Sequence, residues 1–274
     1  MPELPEVETI RQQLLKEIVG KKIKELTIND SQIINLPPEK FQALLTGVKI
    51  KDIRRRAKLL IFDFDNDYSL IVHLKLTGRF IYFKNNQKIK DKAHLIFIFQ
   101  DKTKLLYQDI RKFGYLKLVP TNLAQDIIKA HNFGPEVLDK DFTLERFEKV
   151  IRQKPKAKIK PLLMDQSILA GIGNVYSQEA CFRAGINPQR TVKSLSKEDV
   201  KRLYQALKKV VVLALKKRGC SVDTYLDIYG KRGDFEPLLK VYGRENKPCF
   251  NCGAKIKRIK MNGRSTYFCP KCQK

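Results

Sequence analysis

Four cysteines near the end of the chain form two pairs, Cys249 with Cys252 and Cys269 with Cys272. Two residues separate the members of each pair, and sixteen residues separate the pairs. This spacing is typical of a module in which four thiolates bind one Zn²⁺ ion tetrahedrally, with a redox or disulfide role as the alternative. So short a segment cannot bury much apolar surface, whereas structural zinc contributes roughly 10–16 kcal/mol in such peptides. The spacing therefore predicts a module over 239–274 that folds around one structural zinc.

The segment between the two cysteine pairs carries the signature of a tight hairpin. Asn262-Gly263 is a preferred two-residue turn, so we expect strands over 255–261 and 264–268. The hairpin is strongly basic, with positive charges at Lys255, Lys257, Arg258, Lys260 and Arg264. A solvated surface hairpin is the alternative, but a metal-braced basic hairpin favours contact with a phosphate backbone, with Arg264 beside its tip.

The rest of the chain changes its hydrophobic period twice. Residues 5–19 have apolar positions at helical spacing, and Gly20 is placed to end that helix. Short β-rich runs follow over 21–119, which is typical of a β-sandwich. They include 59–64, 70–74, 80–83, 94–99, 104–107 and 115–119.

Helical periodicity returns after a linker at 131–135, with helices expected at about 143–153, 161–169, 174–184 and 197–218. Ser196 is a good N-cap for the last helix. The pattern predicts an α+β fold with three domains. These are an N-terminal β-sandwich with a leading helix (1–130), a helical domain (131–238) and the cysteine module (239–274).

The charge balance points to a polyanionic partner. Lys and Arg number 55 against 29 Asp and Glu, which gives a formal net charge of +26. Such an excess favours nucleic acid, because each phosphate that is neutralised releases condensed counterions; a general lysine bias of the proteome is the alternative. No apolar run is long enough to span a membrane, and the cysteine usage fits a reducing cytoplasm.

The N-terminus reads Met-Pro-Glu, and it has two interpretations. Pro2, Glu3 and Glu6 suit the first turn of a helix, where Pro and acidic residues are favourable. Alternatively, Met1 is removed and Pro2 is left with a free secondary amine. Such an amine titrates near pH 8, so a useful fraction is unprotonated and nucleophilic at neutral pH.

Five motifs, in order, resemble those of the formamidopyrimidine-DNA glycosylases. They are MPELPEVE (1–8), RRAK (55–58), QDIRKFG (108–114), GIGNVY (171–176) and the four cysteines. The resemblance spans essentially the whole chain. It implies a β-sandwich, a helix–two-turn–helix region and a zinc finger in a bacterial enzyme that acts as a monomer on double-stranded DNA.

The resemblance also implies a chemistry, the excision of 8-oxoguanine or formamidopyrimidine from a flipped-out nucleotide. The Pro2 amine would attack the sugar C1′ and form an iminium, while Glu3 protonates the ring oxygen. Lys58 would serve β-elimination and Arg264 would grip the flanking phosphates and serve δ-elimination. Glu6 would help to organise the Pro2 site. No redox or nucleotide cofactor is implied.

Further residues match the family's DNA contacts. Asn174 and Lys156 would meet phosphates, the first at a helix N-terminus. Arg111, Phe113 and Leu76 would fill the gap left by the flipped base, with Leu where the family commonly has Met. His94 would be a further contact.

Two positions depart from the family pattern. Lys92 stands where the family usually has the first of two histidines, and it can still bind phosphate as a point charge. Cys220 follows Gly219 where a glycine pair is usual, at the start of the loop that closes over the flipped base. This second departure bears on lesion preference.

Two rival functions are compatible with parts of the sequence. An endonuclease VIII-like enzyme would use the same Pro2 chemistry on oxidised pyrimidines, but Leu4 and the pair Arg111 and Phe113 favour the purine-directed branch. A non-catalytic zinc-finger protein would explain the charge and the cysteines, but it would leave Pro2, Glu3 and Lys58 without a purpose.

Overall fold

The computed structural model describes residues 1–84, 93–222 and 224–274. Contacts divide the chain into two compact units, one of residues 1–130 with 217–234 and one of residues 131–216 with 235–274. The segment 217–234 thus packs with the N-terminal residues although it follows the long helix in sequence. The division into three sequence domains stays a prediction. In the described part of the chain, every helix is too short or too polar to cross a bilayer.

The first unit begins with helix α1, Leu4–Ile18. Glu3 is its N-cap in extended conformation, and Glu3 and Glu6 form the reciprocal contacts of a capping box. Pro5 adds a fixed φ in the first turn, where its missing N–H is not needed. The apolar face of α1 is buried, and Gly20 follows the helix with a φ of 82°, as the sequence predicts for a terminator.

Two four-stranded antiparallel sheets make up the body of the first unit. One has the order β1-β6-β7-β5, and the other has the order β2-β3-β4-β8. The bounds are β1 Ile23–Ile28, β2 Ile50–Arg56, β3 Leu59–Phe64, β4 Tyr68–His73, β5 Gly78–Phe83, β6 Leu95–Phe99, β7 Lys104–Asp109 and β8 Tyr115–Pro120. All six runs that the sequence indicates are strands.

The two sheets pack face to face and bury one core. The ring of Phe62 in β3 lies 5.6 Å from that of Phe80 in β5, which in turn lies 5.3 Å from Tyr107 in β7. Aromatic rings at these separations contribute tilted and edge contacts beyond their buried area. Helix α1 packs on β2, the edge strand of its sheet. The β-sandwich with a leading helix is confirmed.

Two helices of the first unit are not indicated by the sequence pattern. Helix α2 spans Pro38–Leu45 and α3 spans Thr121–Ala130. The Pro37-Pro38 pair looks like a loop signal, but Pro38 stands at the first helical position, where Pro is favourable. Phe41 and Leu45, one turn apart, then bury the inner face of α2.

The second unit contains four α-helices, α4 Leu144–Arg152, α5 Ile159–Leu163, α6 Asn174–Ala184 and α7 Lys197–Lys216. Helix α5 is shorter than the expected 161–169, because Asp165 accepts hydrogen bonds from the backbone N–H and hydroxyl of Ser167 and turns the chain. The hairpin consists of β9 Lys257–Met261 and β10 Arg264–Phe268. Asn262 and Gly263 both have positive φ, as the predicted turn requires.

Ser196 caps helix α7 as the sequence predicts. Its hydroxyl accepts from the Asp199 N–H at 3.1 Å, and the Asp199 carboxylate accepts from the Ser196 N–H at 3.1 Å. We expect Ser196→Ala to lower the free energy of unfolding by about 1 kcal/mol, because one helical N–H loses its acceptor. Ser196→Asp, which keeps a capping oxygen, should leave it nearly unchanged. Urea unfolding followed by circular dichroism measures both, and equal midpoints for the two variants would show that the cap does not stabilise the unit.

Candidate active site

Pro2 and Glu3 are buried where α1 begins. The Glu3 N–H donates to Glu6 Oε2 at 2.8 Å, and Glu6 is only 2% exposed. The N-terminal end of a helix carries partial positive charge, which suits the carboxylates placed there. The residues that the resemblance assigns to the nucleophile, the acid and their support therefore lie within one turn of backbone.

The second oxygen of Glu6 reaches a distant part of the chain. Glu6 Oε1 accepts from the Cys220 N–H at 2.8 Å. Gly219 packs so closely that a Cβ there would lie 2.8 Å from both Cγ and Oε1 of Glu6, and its φ is 86°. Burial and the negative charge of Glu6 raise the pKa of the neighbouring Tyr225. Glu6 thus ties the start of α1 to the segment that carries the Gly219-Cys220 departure.

Lys58 lies in the two-residue turn between β2 and β3 and is 7% exposed. Ala57 before it has a φ of 52°, an unusual conformation for a residue with a side chain. Arg55 donates to Glu8 of α1 at 2.9 Å and to the Ala57 carbonyl at 2.9 Å. Burial opposes ionisation of Glu8, but hydrogen bonds from Arg11 and Arg55 outweigh it and lower the pKa of Glu8. Arg55 thereby connects α1 with the turn that carries Lys58.

The three residues assigned to the gap left by a flipped base lie on two turns of the first unit. Arg111 and Phe113 are exposed between β7 and β8, with the guanidinium carbon 4.7 Å from the centre of the Phe113 ring. Phe113 is 53% exposed, and neighbouring Ile110 is 76% exposed. Leu76, between β4 and β5, is half-buried. Exposed apolar side chains beside an arginine are what a base-stack wedge needs.

His94 is held by the protein itself. Its Nε2 lies 2.9 Å from the Asp109 carbonyl oxygen, and its Nδ1 lies 3.3 Å from a carboxylate oxygen of Asp30. Lys112 also contacts Asp30, at 2.7 Å, and its hydrogen bond lowers the pKa of that carboxyl. These contacts favour a structural role for the ring. Lys92 lies outside the described residues.

In the second unit, Asn174 opens helix α6 after the N-cap Gly173. Its side-chain oxygen accepts from Lys160 Nζ at 2.6 Å, and Lys160 is 1% exposed. Gln178 donates to the Asn174 carbonyl at 2.6 Å and accepts from the Tyr267 N–H of β10 at 2.6 Å. The Asn174 turn and the hairpin are therefore joined through one side chain. Lys156 is exposed on the connection between α4 and α5.

The four predicted cysteines converge on one point of the second unit. Their sulfur atoms all lie within 4.8 Å of one another, with Cys249–Cys272 at 3.8 Å and Cys252–Cys269 at 3.5 Å. A tetrahedral Zn²⁺ site with Zn–S bonds of about 2.3 Å has sulfur–sulfur edges of about 3.8 Å. The thiol set therefore fits one structural zinc. Arg264 stands exposed at the first position of β10, beside the hairpin turn.

Three residues that support the site are not among those that the sequence assigns to it. Lys160 and Gln178 hold Asn174, and the backbone of Cys220 holds Glu6. Lys160 lies on another helix than Asn174, and Cys220 lies 214 residues from Glu6, so no spacing rule indicates these two contacts; Gln178 lies one helical turn after Asn174. The buried lysine offers the one local hint: Lys160 lies between apolar residues of α5, where a solvated cation is out of place.

Three family models match in the order that the sequence indicates. They are the formamidopyrimidine-DNA glycosylase N-terminal domain over residues 1–116, the H2TH domain of the same enzymes over 133–225, and a zinc finger found in FPG and IleRS over 246–274. The chain belongs to the formamidopyrimidine-DNA glycosylase family. It is accordingly a DNA glycosylase with a zinc finger, and the sequence-based assignment is confirmed.

Known relatives agree over the full length. A formamidopyrimidine-DNA glycosylase of Listeria monocytogenes is 39% identical over 275 residues and covers all of both chains. The Fpg of Lactococcus lactis, solved in complex with DNA that contains an abasic site, matches with a TM-score of 0.91 at 35% identity over 99% of each chain. A MutM chain in complex with DNA that contains carbocyclic 8-oxo-G matches with a TM-score of 0.90 at 35% identity over both whole chains.

The Gly219 contact predicts a specific loss of activity. Gly219→Ala should cost about 1–2 kcal/mol of unfolding free energy because of its positive φ. It should also slow single-turnover base excision at least about tenfold, because the added Cβ displaces Glu6. Gly230→Ala is the matched control: its φ is 74°, but no atom lies within 4 Å of the added carbon. Equal excision rates in the two variants would contradict a role for the Glu6 contact.

The cysteine site predicts a metal-dependent module. The purified chain should contain about one zinc ion, and a strong chelator should remove it together with DNA affinity, because the small core around Cys249 and Cys269 cannot hold the hairpin alone. Re-addition of Zn²⁺ should restore binding, and Cys181→Ala should bind zinc normally. Metal analysis and gel-shift titration check this expectation; full DNA affinity in the zinc-free protein would refute it.

Proposed function

We propose that this chain excises oxidised purines from duplex DNA and then cuts the strand, with Pro2 as the nucleophile once Met1 is removed. The observation that carries the proposal is the burial of Pro2 and Glu3 at a helix start that Glu6 locks in place. A nucleophile must be held in one geometry to react efficiently, and this anchoring meets that need.

Methionine removal is essential to the chemistry. While Met1 is attached, the Pro2 nitrogen is an amide without a basic lone pair. Once free, the secondary amine lies next to the N-terminal end of α1, whose partial positive charge favours the neutral and nucleophilic form. The active species is therefore the processed chain.

The proposed reaction begins with attack by the Pro2 nitrogen on the sugar. The Pro2 lone pair forms a bond to the sugar C1′, the C1′–N bond breaks, and the base leaves with that electron pair and takes up the proton that the Pro2 nitrogen loses. Glu3 donates a proton to the sugar ring oxygen as the ring opens to the iminium. Loss of a C2′ proton then expels the 3′ phosphate, with Lys58 close to the sugar. A second elimination expels the 5′ phosphate, with Arg264 gripping the flanking backbone, and water finally releases Pro2.

The proposed DNA contacts are those that the family resemblance implies. Arg264, Lys156 and Asn174 bind phosphates, in keeping with the net charge of +26. Arg111, Phe113 and Leu76 occupy the space of the flipped nucleotide. His94 acts mainly by holding the Asp109 turn, since both ring nitrogens face protein oxygens. Lys92 serves as a phosphate ligand. The protein acts as a monomer in the bacterial cytoplasm and is associated with the nucleoid while on DNA.

Borohydride trapping on an 8-oxoguanine duplex tests the mechanism. Reduction of the iminium should give a covalent protein–DNA adduct, seen as a band of reduced mobility. Pro2→Gly and Glu3→Gln should reduce the adduct at least about a hundredfold, because one lacks the secondary amine and the other the acid. Glu25→Gln, an exposed carboxylate in β1, is the control.

Mass measurements and a second duplex identify the nucleophile and the preferred lesion. Intact-mass measurement should find the chain shorter by one methionine, and peptide mapping of the adduct should locate the DNA on Pro2. A parallel thymine-glycol duplex ranks the purine and pyrimidine lesions. No adduct with the processed wild-type chain would overturn the role of Pro2 as the nucleophile, and faster excision of thymine glycol would overturn the purine preference.

A further inference from the structure

Asp109 is a buried carboxylate at the end of β7 to which the proposed chemistry gives no role. It is 1% exposed, although the next four residues form an exposed turn that carries Arg111 and Phe113. A fully buried carboxylate has to be compensated by hydrogen bonds, so its partners show what it holds.

Those partners belong to two separate turns. From the β7–β8 turn, the Arg111 N–H donates to Asp109 Oδ1 at 3.2 Å and the Gly114 N–H donates to Oδ2 at 2.7 Å. From the β4–β5 turn, the Thr77 hydroxyl donates to Oδ1. Thr77 Oγ1 in turn accepts from the Arg111 N–H at 3.0 Å. One carboxylate therefore fastens together the turn with Arg111 and Phe113 and the turn with Leu76.

The glycines of these two turns have no room for a side chain. A Cβ on Gly114 would lie 2.8 Å from Asp109 Oδ2 and would overlap the Tyr107 hydroxyl. A Cβ on Gly78, at the end of the other turn, would lie 2.7 Å from the same hydroxyl oxygen. Burial, together with the negative charge of Asp109, raises the pKa of Tyr107 and keeps that hydroxyl protonated. Both glycines thus permit a close approach that a side chain would prevent.

Both turns also contain a residue in an unfavourable backbone conformation. Lys75 in one turn has a φ of 50°, and Lys112 in the other has a φ of 51°. Non-glycine residues keep such conformations only where surrounding contacts impose them. The Lys112 N–H donates to the Asp109 carbonyl at 3.1 Å, and the Lys75 N–H donates to His73 Nδ1 at 2.9 Å. Contacts within the protein therefore fix the conformation of both turns in the absence of DNA.

We propose that Asp109 is a positioning residue that holds the two turns in the one arrangement in which Leu76, Arg111 and Phe113 enter the base stack together. This inference rests on the proposed wedge role of those three side chains. Exposed turns that are already ordered lose less conformational entropy on binding, so more of the contact energy goes into opening the duplex. Asp109 acts through the wedge and touches neither the lesion nor the reacting sugar.

Asp109→Asn tests the proposal with little change in shape. One carboxylate oxygen becomes an amide NH₂, so a donor faces either the Gly114 N–H or the Arg111 N–H, and the contact between the two turns loosens. We expect single-turnover excision of 8-oxoguanine from a duplex to slow at least about tenfold. Strand cleavage at an abasic site in a single-stranded oligonucleotide should stay within about twofold, because no base has to leave a stack.

Fluorescence of 2-aminopurine placed beside the lesion reports the wedge directly. The rise on binding should be smaller in Asp109→Asn than in the wild type, as it should be in Phe113→Ala. A full fluorescence rise and a full excision rate in Asp109→Asn, with both lowered in Phe113→Ala, would overturn the role of Asp109 and leave the wedge intact. Unchanged behaviour of Phe113→Ala would overturn the wedge role, and the inference with it.

If Asp109→Asn also loses cleavage of the single-stranded oligonucleotide, a second pair of variants tests the contact between the two turns. Thr77→Val removes the hydroxyl that bridges the two turns, whereas Thr77→Ser keeps it. We expect duplex excision and the 2-aminopurine signal to fall in the first variant and to be retained in the second, with single-stranded cleavage retained in both. Equal values for the Val and Ser variants would overturn the proposal.

Discussion

The arrangement of the candidate site depends on the two hydrogen bonds that the carboxylate of Glu6 accepts. One comes from the Glu3 N–H next to Pro2, and the other comes from the Cys220 N–H more than two hundred residues later. Charge-assisted hydrogen bonds to backbone N–H groups are strong and directional, and burial strengthens them further. Through Glu6, the chain's N-terminus and the segment 217–234 take part in one compact unit.

Two other buried carboxylates also accept hydrogen bonds from backbone N–H groups of irregular segments. Asp109 accepts from backbone N–H groups of its own turn and from Thr77, and it thereby joins two turns. In the second unit, Glu179 of α6 accepts from the consecutive N–H groups of Lys240, Val241 and Tyr242. Glu179 is 0% exposed, and this burial raises the pKa of its carboxyl despite those three donors. The chain has a net charge of +26. These buried carboxylates hold irregular backbone segments, while the excess positive charge remains available for the surface.

Apolar runs and helical spacing located several elements in the sequence, with errors where a turn-forming residue or a proline set the boundary. The runs at β3 and α6 agree with the structure residue for residue. Helix α5 is shorter than its pattern because one turn-forming aspartate, Asp165, outweighs the apolar positions that follow. Helix α2 lies within the span 21–119 that the sequence pattern assigns to β-rich runs, although Pro38 at its first position favours the start of a helix.

The sequence by itself determined the family, the four metal ligands and the order of folds along the chain, because each rests on residue types at short, fixed spacings. Through the family resemblance it also proposes which side chains carry the chemistry. Only the tertiary structure decided what holds those side chains: Cys220 and Gly219 around Glu6, Lys160 and Gln178 beneath Asn174, and Asp109 between two turns. Apart from Gln178, which lies one helical turn after Asn174, these partners meet only after distant segments pack. A backbone N–H that completes a site is present in nearly every residue type, so no local pattern can mark it.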